Sequence, residues 1–166
     1  MASEIEKAAD SPGWTRDTPW RQGTFLPIES KLGIAQSDIV VVASHDCDCV
    51  NDIAKEPNIE VIWGKLIEAP SADFTHAKNV RALHLPILVD GQPRHLEIKI
   101  ADRKEISKSH LIGLHPNPAV TMSEQQKRTL AMWLAARYQR TAFPEALAQS
   151  VWRQLLFPVN DNHNSR

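Results

Sequence analysis

One β-branched run constrains the fold of this chain more than any other feature of its 166 residues. Residues 38–44 read Asp-Ile-Val-Val-Val-Ala-Ser, an apolar stretch that is typical of a strand covered on both faces. Such a strand requires apolar partners on each side of its sheet. The composition can provide them, because 42% of the residues are hydrophobic and 23% are charged, as in ordinary globular domains.

Other segments before residue 100 also have the character of strands. Residues 22–29 form a short first strand, and residues 58–67 alternate between apolar and polar positions. Residues 80–88 and 94–100 predict a hairpin around Asp90-Gly91, a favoured tight-turn pair. The shared apolar faces are formed by Ile59, Val61 and Trp63 in one strand and by Leu96, Ile98 and Ile100 in another.

Helical signals follow the strands. Ser123 and Gln126 form a capping box, which predicts that a helix begins there. Pro144 is tolerated at the first position of a helix and starts a second one. The apolar stripes of the two helices are Leu130, Trp133, Leu134 and Tyr138 in the first and Leu147, Val151, Trp152 and Leu155 in the second.

Strands that come first and helices that come after them predict an α+β fold. We expect a small, strongly twisted antiparallel sheet or an SH3-like barrel of about five strands, followed by two C-terminal helices. Residues 1–19 form a flexible arm that Trp14 and Trp20 attach to the domain. Residues 20–158 form the single domain, and residues 159–166 form a frayed tail.

Charge and cysteine usage restrict the partners and the compartment. The formal net charge is −1, so no global field attracts the chain to nucleic acid or to anionic lipid. No leader pattern and no apolar run of about 20 residues is present, so we expect a cytoplasmic protein without a membrane partner. Cys47 and Cys49 are the only cysteines, and two free thiols fit a reducing compartment.

The polar segment Ser44-His45-Asp46-Cys47-Asp48-Cys49 follows the apolar strand directly and is the candidate chemical centre. A rigid strand can position such residues while the loop behind it keeps them accessible. If the chain stays extended, His45, Cys47 and Cys49 share one face. In one hypothesis Cys47 is a nucleophile, and its base is His45 or a distant histidine. The distant candidates are His76, His84 and His110.

Metal binding is a second hypothesis for this segment. His45, Cys47 and Cys49 could bind zinc with a fourth ligand from His76 or His84, although zinc pairs usually have two to four intervening residues. No cofactor is predicted, and Zn²⁺ and Mg²⁺ stay open as alternatives. In the simplest interpretation the cysteines are small core residues and the aspartates cap a turn.

Two further patterns carry possible chemistry. Glu97-Ile98-Lys99 has the Glu-x-Lys form of metal-dependent nucleases, which would need an aspartate such as Asp46, Asp48 or Asp73 nearby. A solvated strand face explains Glu97 and Lys99 equally well. Six cationic residues could instead form a basic face for phosphates, namely Arg81, Arg94, Lys99, Arg103, Lys104 and Lys108.

Several of these motifs together resemble a family of small bacterial and phage proteins with a Ser-x-Asp-Cys-Asp strand end. The resemblance covers most of residues 20–145 and implies a context of mobile elements, phage or defence loci. It is carried by Trp20-Arg-Gln-Gly23, Val40-Val-Val-Ala-Ser-His-Asp-Cys-Asp48, Glu56-Pro57, Ile59-Glu-Val-Ile62, Leu134-Ala-Ala-Arg-Tyr138 and Ala142-Phe-Pro144.

The glycine-led first strand and the valine-rich second strand are also similar to PemK/MazF-like barrels, which include endoribonuclease toxins. Residues 30–37 read Ser-Lys-Leu-Gly-Ile-Ala-Gln-Ser and lack the arginine of the toxin loop.

The first functional hypothesis is a small intracellular binding or accessory module that acts on a protein or nucleic-acid partner. The alternative is a hydrolase or nuclease that uses residues 45–48 as a thiol or metal site. The oligomeric state stays open.

Overall fold

A computed structural model describes residues 13–28, 30 and 32–142, with the side chains of residues 137–142 left out. In that part of the chain five strands form one antiparallel, curled sheet that resembles half of a barrel. The strands are β1 (Asp38–Val42), β2 (Asn58–Ile67), β3 (Ala82–Val89), β4 (Gln92–Ser107) and β5 (Val120–Thr121), in the order β1-β2-β4-β3-β5. The α-helices in the described residues are α1 (Asp46–Val50) and α2 (Glu124–Ala142), and two short 3₁₀ helices span Ala72–Phe74 and Lys108–Leu111. The predicted α+β fold is confirmed.

Both faces of β1 are covered, as its sequence predicts. Val41 belongs to a cluster on the α2 side of the sheet, whereas Val40 and Val42 belong to a cluster on the opposite side. The α2-side cluster contains Phe25, Val41, Ala43, Ile62, Leu83, Leu85, Ile87, Leu96, Ile98, Val120, Leu130 and Trp133. The Trp14-side cluster contains Trp14, Trp20, Leu26, Ile34, Val40, Val42, Cys49, Ile59, Val61, Ile106 and Leu111.

The central hairpin is confirmed. Asp90 and Gly91 have φ angles of 50° and 74°, the left-handed conformation that a tight type I′ turn requires at both positions. β4 continues to Ser107, well beyond the predicted end at residue 100. The additional length allows β4 to pair with β3 in its first half and with β2 along both halves.

A large bulge interrupts the pairing of β2 with β4. Ile62 is opposite Arg103 and Gly64 is opposite Ile98, so Trp63 alone faces residues 99–102. A bulge of this kind bends the strand that carries the extra residues. The first half of β4 therefore covers the α2-side cluster, and the second half runs toward the end of β1.

Three predictions for local structure have different outcomes. The strand predicted for residues 22–29 does not form over the described residues 22–28, where Phe25 alone makes a β-bridge, to Val41. The chain does not stay extended after Ser44, since residues 46–50 form α1, so the condition for His45, Cys47 and Cys49 to share a strand face is not met. The helix expected from Pro144 lies outside the described residues, as do residues 1–12 of the arm and the tail at 159–166.

The start of α2 and the attachment of the N-terminal segment agree with the sequence patterns. The Ser123 hydroxyl accepts a hydrogen bond from the Gln126 backbone N–H at 3.3 Å. Trp14 and Trp20 are 4% and 1% exposed. None of the helices in the described part of the chain combines the length and the apolar character that a membrane crossing demands.

Candidate functional site

A cleft of about 570 Å³ lies where the end of β1, the α1 segment, β2, β4 and α2 meet. This volume is in the range of ordinary ligand pockets. One part of its wall is apolar and includes Ile100, Ala131 and Leu134. The charged or titratable part of its wall consists of His45, Asp48, Glu56, Glu60, Arg103 and Glu105.

The charged wall occupies a sheet face that is elsewhere filled with core residues. Side chains two apart in a strand share a face, so Glu60 points to the same side as Ile62 of the α2-side cluster. Arg103 is the cross-strand partner of Ile62, and Glu105 is the partner of Glu60. The α2 face of the sheet therefore changes from apolar to charged within one residue pair.

Negatively charged side chains outnumber positively charged ones in the described wall of the cleft. The described residues of its wall carry the carboxylates of Asp48, Glu56, Glu60 and Glu105 and one guanidinium, that of Arg103. Arg103 Nη1 lies 3.1 Å from Oε1 and 3.1 Å from Oε2 of Glu60. Over the described residues, no ion pair is formed by the other three carboxylates. The cleft is therefore acidic.

The strand-end segment lies beside this cleft as a short helix rather than as an extended strand. His45 is the N-cap of α1, and its Nδ1 accepts the backbone N–H of Cys47 at 3.3 Å. Asp46 Oδ1 accepts the backbone N–H of Gln22 at 2.8 Å. Asp46 is therefore occupied in holding two loops together, whereas His45 and Asp48 face the cleft.

Two buried side chains donate hydrogen bonds to backbone carbonyls at the C-terminal end of α1. Lys108 Nζ donates to the carbonyl oxygens of Asp48 at 2.6 Å and of Asn51 at 2.9 Å. Trp14 Nε1 donates to the carbonyl of Cys49 at 3.0 Å. Burial of the ammonium group lowers the pKa of Lys108 from its ordinary value.

The two cysteines differ sharply in environment. Cys49 is fully buried, its Sγ donates to the Ser44 carbonyl at 3.7 Å, and burial raises the pKa of this thiol to about 11. Cys47 is exposed and is not part of the cleft wall. No described base is hydrogen-bonded to the Cys47 thiol. The segment therefore presents no assembled nucleophile and base.

Alkylation with iodoacetamide at pH 8 is expected to modify Cys47 in the native protein and Cys49 only after unfolding. A buried thiol whose pKa is about 11 holds little reactive thiolate at that pH. Mass spectrometry of the intact protein and of its peptides checks this. A Cys47→Ser variant should take up no label while folded, and equal labelling rates for the two cysteines would contradict the assignment.

The other predicted chemistry is located on the opposite face of the sheet. His84 Nδ1 accepts the Ser71 N–H at 2.9 Å, and His84 Nε2 lies 3.1 Å from Glu97 Oε2. Lys99 Nζ is 3.0 Å from Glu97 Oε1. The pKa of Glu97 lies below its usual value. The hydrogen bond from Lys99 is the largest cause, and the hydrogen bond from His84 is a further cause.

The part of residues 13–142 that the structure describes contains no preformed metal-binding site. No group of three His, Cys, Asp or Glu side chains in that part is arranged to hold a metal ion. Glu97 is paired with both Lys99 and His84, so the Glu-x-Lys pattern is part of a side-chain network centred on Glu97.

The six cationic residues lie on both faces of the sheet rather than on one patch. By strand alternation Arg94 and Arg103 lie on the α2 side, whereas Lys99 and Lys104 lie on the other. Lys104 Nζ stacks on Trp63, 4.7 Å from the ring centroid. Lys108 is fully buried and bonded to carbonyls, so its ammonium does not reach a phosphate in this arrangement. Arg81 is exposed where β3 begins.

Sequence reasoning found His45 and Asp48 but missed Glu56, Glu60 and Glu105. One signal for Glu60 was present, because it stands between apolar neighbours on a strand whose two faces are both largely buried. Glu105 carried no such signal, since its pairing with Glu60 depends on the bulge.

Comparison of the chain with family models, curated proteins and solved structures returned no match. The interpretation of the cleft therefore depends on its own geometry, and the family resemblance stays a prediction.

Proposed function

We propose that this chain is a small non-enzymatic binding module that holds a cationic segment of a protein partner in its acidic cleft. The observation that carries the proposal is the direct pairing of Glu60 with Glu105 across β2 and β4 on the α2 face of the sheet. Like charges directly opposite each other destabilise a sheet. A cationic ligand between them would offset that cost.

The shape of the cleft suits a long basic side chain. Arginine and lysine have apolar stems, which could pack against Ile100, Ala131 and Leu134 while the charged end reaches Glu60 and Glu105. Arg103 already neutralises Glu60 in the free protein, so an incoming guanidinium would share or replace that ion pair. Guanidinium groups bind carboxylates with two parallel hydrogen bonds, which favours arginine over lysine.

The same charges argue against phosphate in the cleft. Nucleic-acid binding depends on cations that neutralise the backbone. Among the described residues the cleft wall has one arginine and three carboxylates without an ion pair, so an oligonucleotide should be repelled. Of the two partner classes, the protein partner is the one that the charge of the cleft favours.

A capped tri-arginine peptide is a suitable probe, and a capped tri-citrulline peptide is its uncharged isosteric control. Titration followed by backbone amide NMR should shift Ser44, His45, Glu60 and Glu105 in a saturable way with the arginine peptide only. Binding should weaken as salt rises from 50 to 300 mM, because exposed ion pairs are screened over about 10 Å. Equal shifts with the citrulline peptide, or cleft shifts with oligo-dT instead, would overturn the proposal.

Substitution of Glu105 separates binding from folding. Glu105→Gln should weaken binding of the tri-arginine peptide roughly fivefold, since one accessible ion pair is worth up to about 1 kcal/mol. The same change should leave the free energy of unfolding equal or raise it by about 0.3 kcal/mol, because a like-charge pair is removed. Isothermal titration calorimetry and urea unfolding measure the two effects.

Glu68→Gln is the matched control, since Glu68 is exposed and lies outside the cleft. It removes the same charge from the chain and should change neither quantity. Equal losses of affinity in the two variants would show that the peptide senses net charge alone.

A further inference from the structure

A buried lysine without a described carboxylate partner lies under α1. Lys108 is fully buried, and its ammonium lies 5.4 Å from the centroid of the Trp14 ring. Its two hydrogen bonds go to the backbone carbonyls of Asp48 and Asn51. Taking an ammonium group out of water costs free energy. We therefore expect the lysine at this position to make a stabilising interaction that an apolar residue could not make.

This interaction stabilises α1. A helix of five residues has no stability of its own, and its last carbonyls have no partners within the helix. Lys108 and Trp14 together satisfy three carbonyls of this region, those of Asp48, Cys49 and Asn51. A cation is also favoured at a helix C-terminus, where the backbone dipoles place partial negative charge.

We infer that Lys108 is a positioning residue, which fixes α1 so that His45 and Asp48 face the acidic cleft. The inference rests on the proposed function for its consequence, since α1 forms one rim of the cleft. Lys108 itself does not line the cleft and acts only through the backbone of α1. Residues 48–51 thus connect the Trp14-side cluster with the binding surface.

Hydrogen exchange and peptide affinity test this together. The amides of Asp48 and Cys49 donate to the His45 carbonyl, so they report on α1 directly. Lys108→Met keeps the apolar stem but removes the donors, and it should speed exchange at both amides roughly tenfold or more, as expected for lost bonds to a charged group. Exchange in β3 should not change. Affinity for the tri-arginine peptide should fall roughly tenfold.

Lys104→Met is the matched control, because Lys104 lies four residues before Lys108, within β4, and is exposed. It should alter neither the exchange of α1 nor the affinity. Lys108→Arg keeps the charge and the donors and should retain more of both properties than Lys108→Met. If Lys108→Met does not fold, the folded Lys108→Arg variant provides the test instead. Any faster exchange of the α1 amides in Lys108→Arg must then be accompanied by weaker affinity for the peptide.

The outcomes distinguish the two proposals. If the wild-type chain does not bind the arginine peptide, the proposed function fails, and exchange alone then decides whether Lys108 holds α1. Unchanged exchange at Asp48 and Cys49 in Lys108→Met overturns the inference. Faster exchange with unchanged peptide affinity overturns it as well, because α1 would then be irrelevant to the cleft.

Discussion

Gly64→Ala is expected to destabilise the fold by about 3 kcal/mol, at the upper end of what overpacking usually costs. A Cβ atom at this position would lie 2.7 Å from Leu96 Cδ1, 2.8 Å from the Glu97 carbonyl oxygen and 2.8 Å from Ile98 Cγ2. Two of these contacts belong to buried core side chains and one to the backbone of β4. The carbonyl oxygen cannot move away without disturbing the pairing of β2 with β4, and the two side chains are packed in the α2-side cluster.

Urea unfolding monitored by tryptophan fluorescence measures the effect. Gly91→Ala is an informative comparison, because nothing lies within 4 Å of its added Cβ but its φ is +74°. That change should cost about 1 kcal/mol through backbone strain alone. Lys65→Ala, at the exposed neighbour of Gly64, should cost less than either. A Gly64→Ala protein as stable as the Lys65→Ala protein would mean that the two strands are farther apart than described.

The local elements were predictable because their signals lie within a few residues of each other. The run of valines at 40–42 indicated a strand covered on both faces, and Asp90-Gly91 indicated the turn. Ser123 indicated the start of α2. Each of these features depends on side-chain period, backbone conformation or capping, which a short window of sequence contains.

The cleft was not predictable in the same way, because it depends on register. Glu60 and Glu105 become neighbours only through the pairing of β2 with the second half of β4. That pairing requires the bulge at Trp63, and no short window of sequence specifies a bulge of this size. The helical form of residues 46–50 was not predictable either, since carbonyls at the end of α1 accept hydrogen bonds from Lys108, a residue far away along the chain.

Gly64 thus has a consequence for the site as well as for stability. The absence of its side chain lets β2 approach β4 closely just before the bulge. Beyond the bulge, β4 presents Arg103 and Glu105 on the face where its first half presents Leu96 and Ile98. The close approach of β2 to β4 at Gly64, which makes the sheet sensitive to one added methyl group, therefore also directs charged residues into the cleft.

Trp133→Ala is expected to cost about 4 kcal/mol, in the range typical of large-to-small changes at buried aromatic residues. Trp133 is 1% exposed in the α2-side cluster, and its Nε1 donates to the Asn79 carbonyl at 2.7 Å. The substitution removes the largest buried side chain that the described part of α2 contributes to this cluster, and it leaves the Asn79 carbonyl without its donor. Because α2 supplies Ala131 and Leu134 to the cleft, binding of the tri-arginine peptide should be lost together with the packing of the helix.

Two variants separate these contributions. Trp133→Phe keeps much of the apolar surface but removes the indole N–H, so it should cost about 2 kcal/mol and retain part of the peptide affinity. Met132→Ala changes the adjacent side chain, which is 62% exposed, and should stay within about 0.5 kcal/mol of wild type. Thermal and urea unfolding provide the stabilities. A Trp133→Ala protein with wild-type stability would show that α2 does not depend on this contact, and full peptide affinity in that variant would remove α2 from the binding surface.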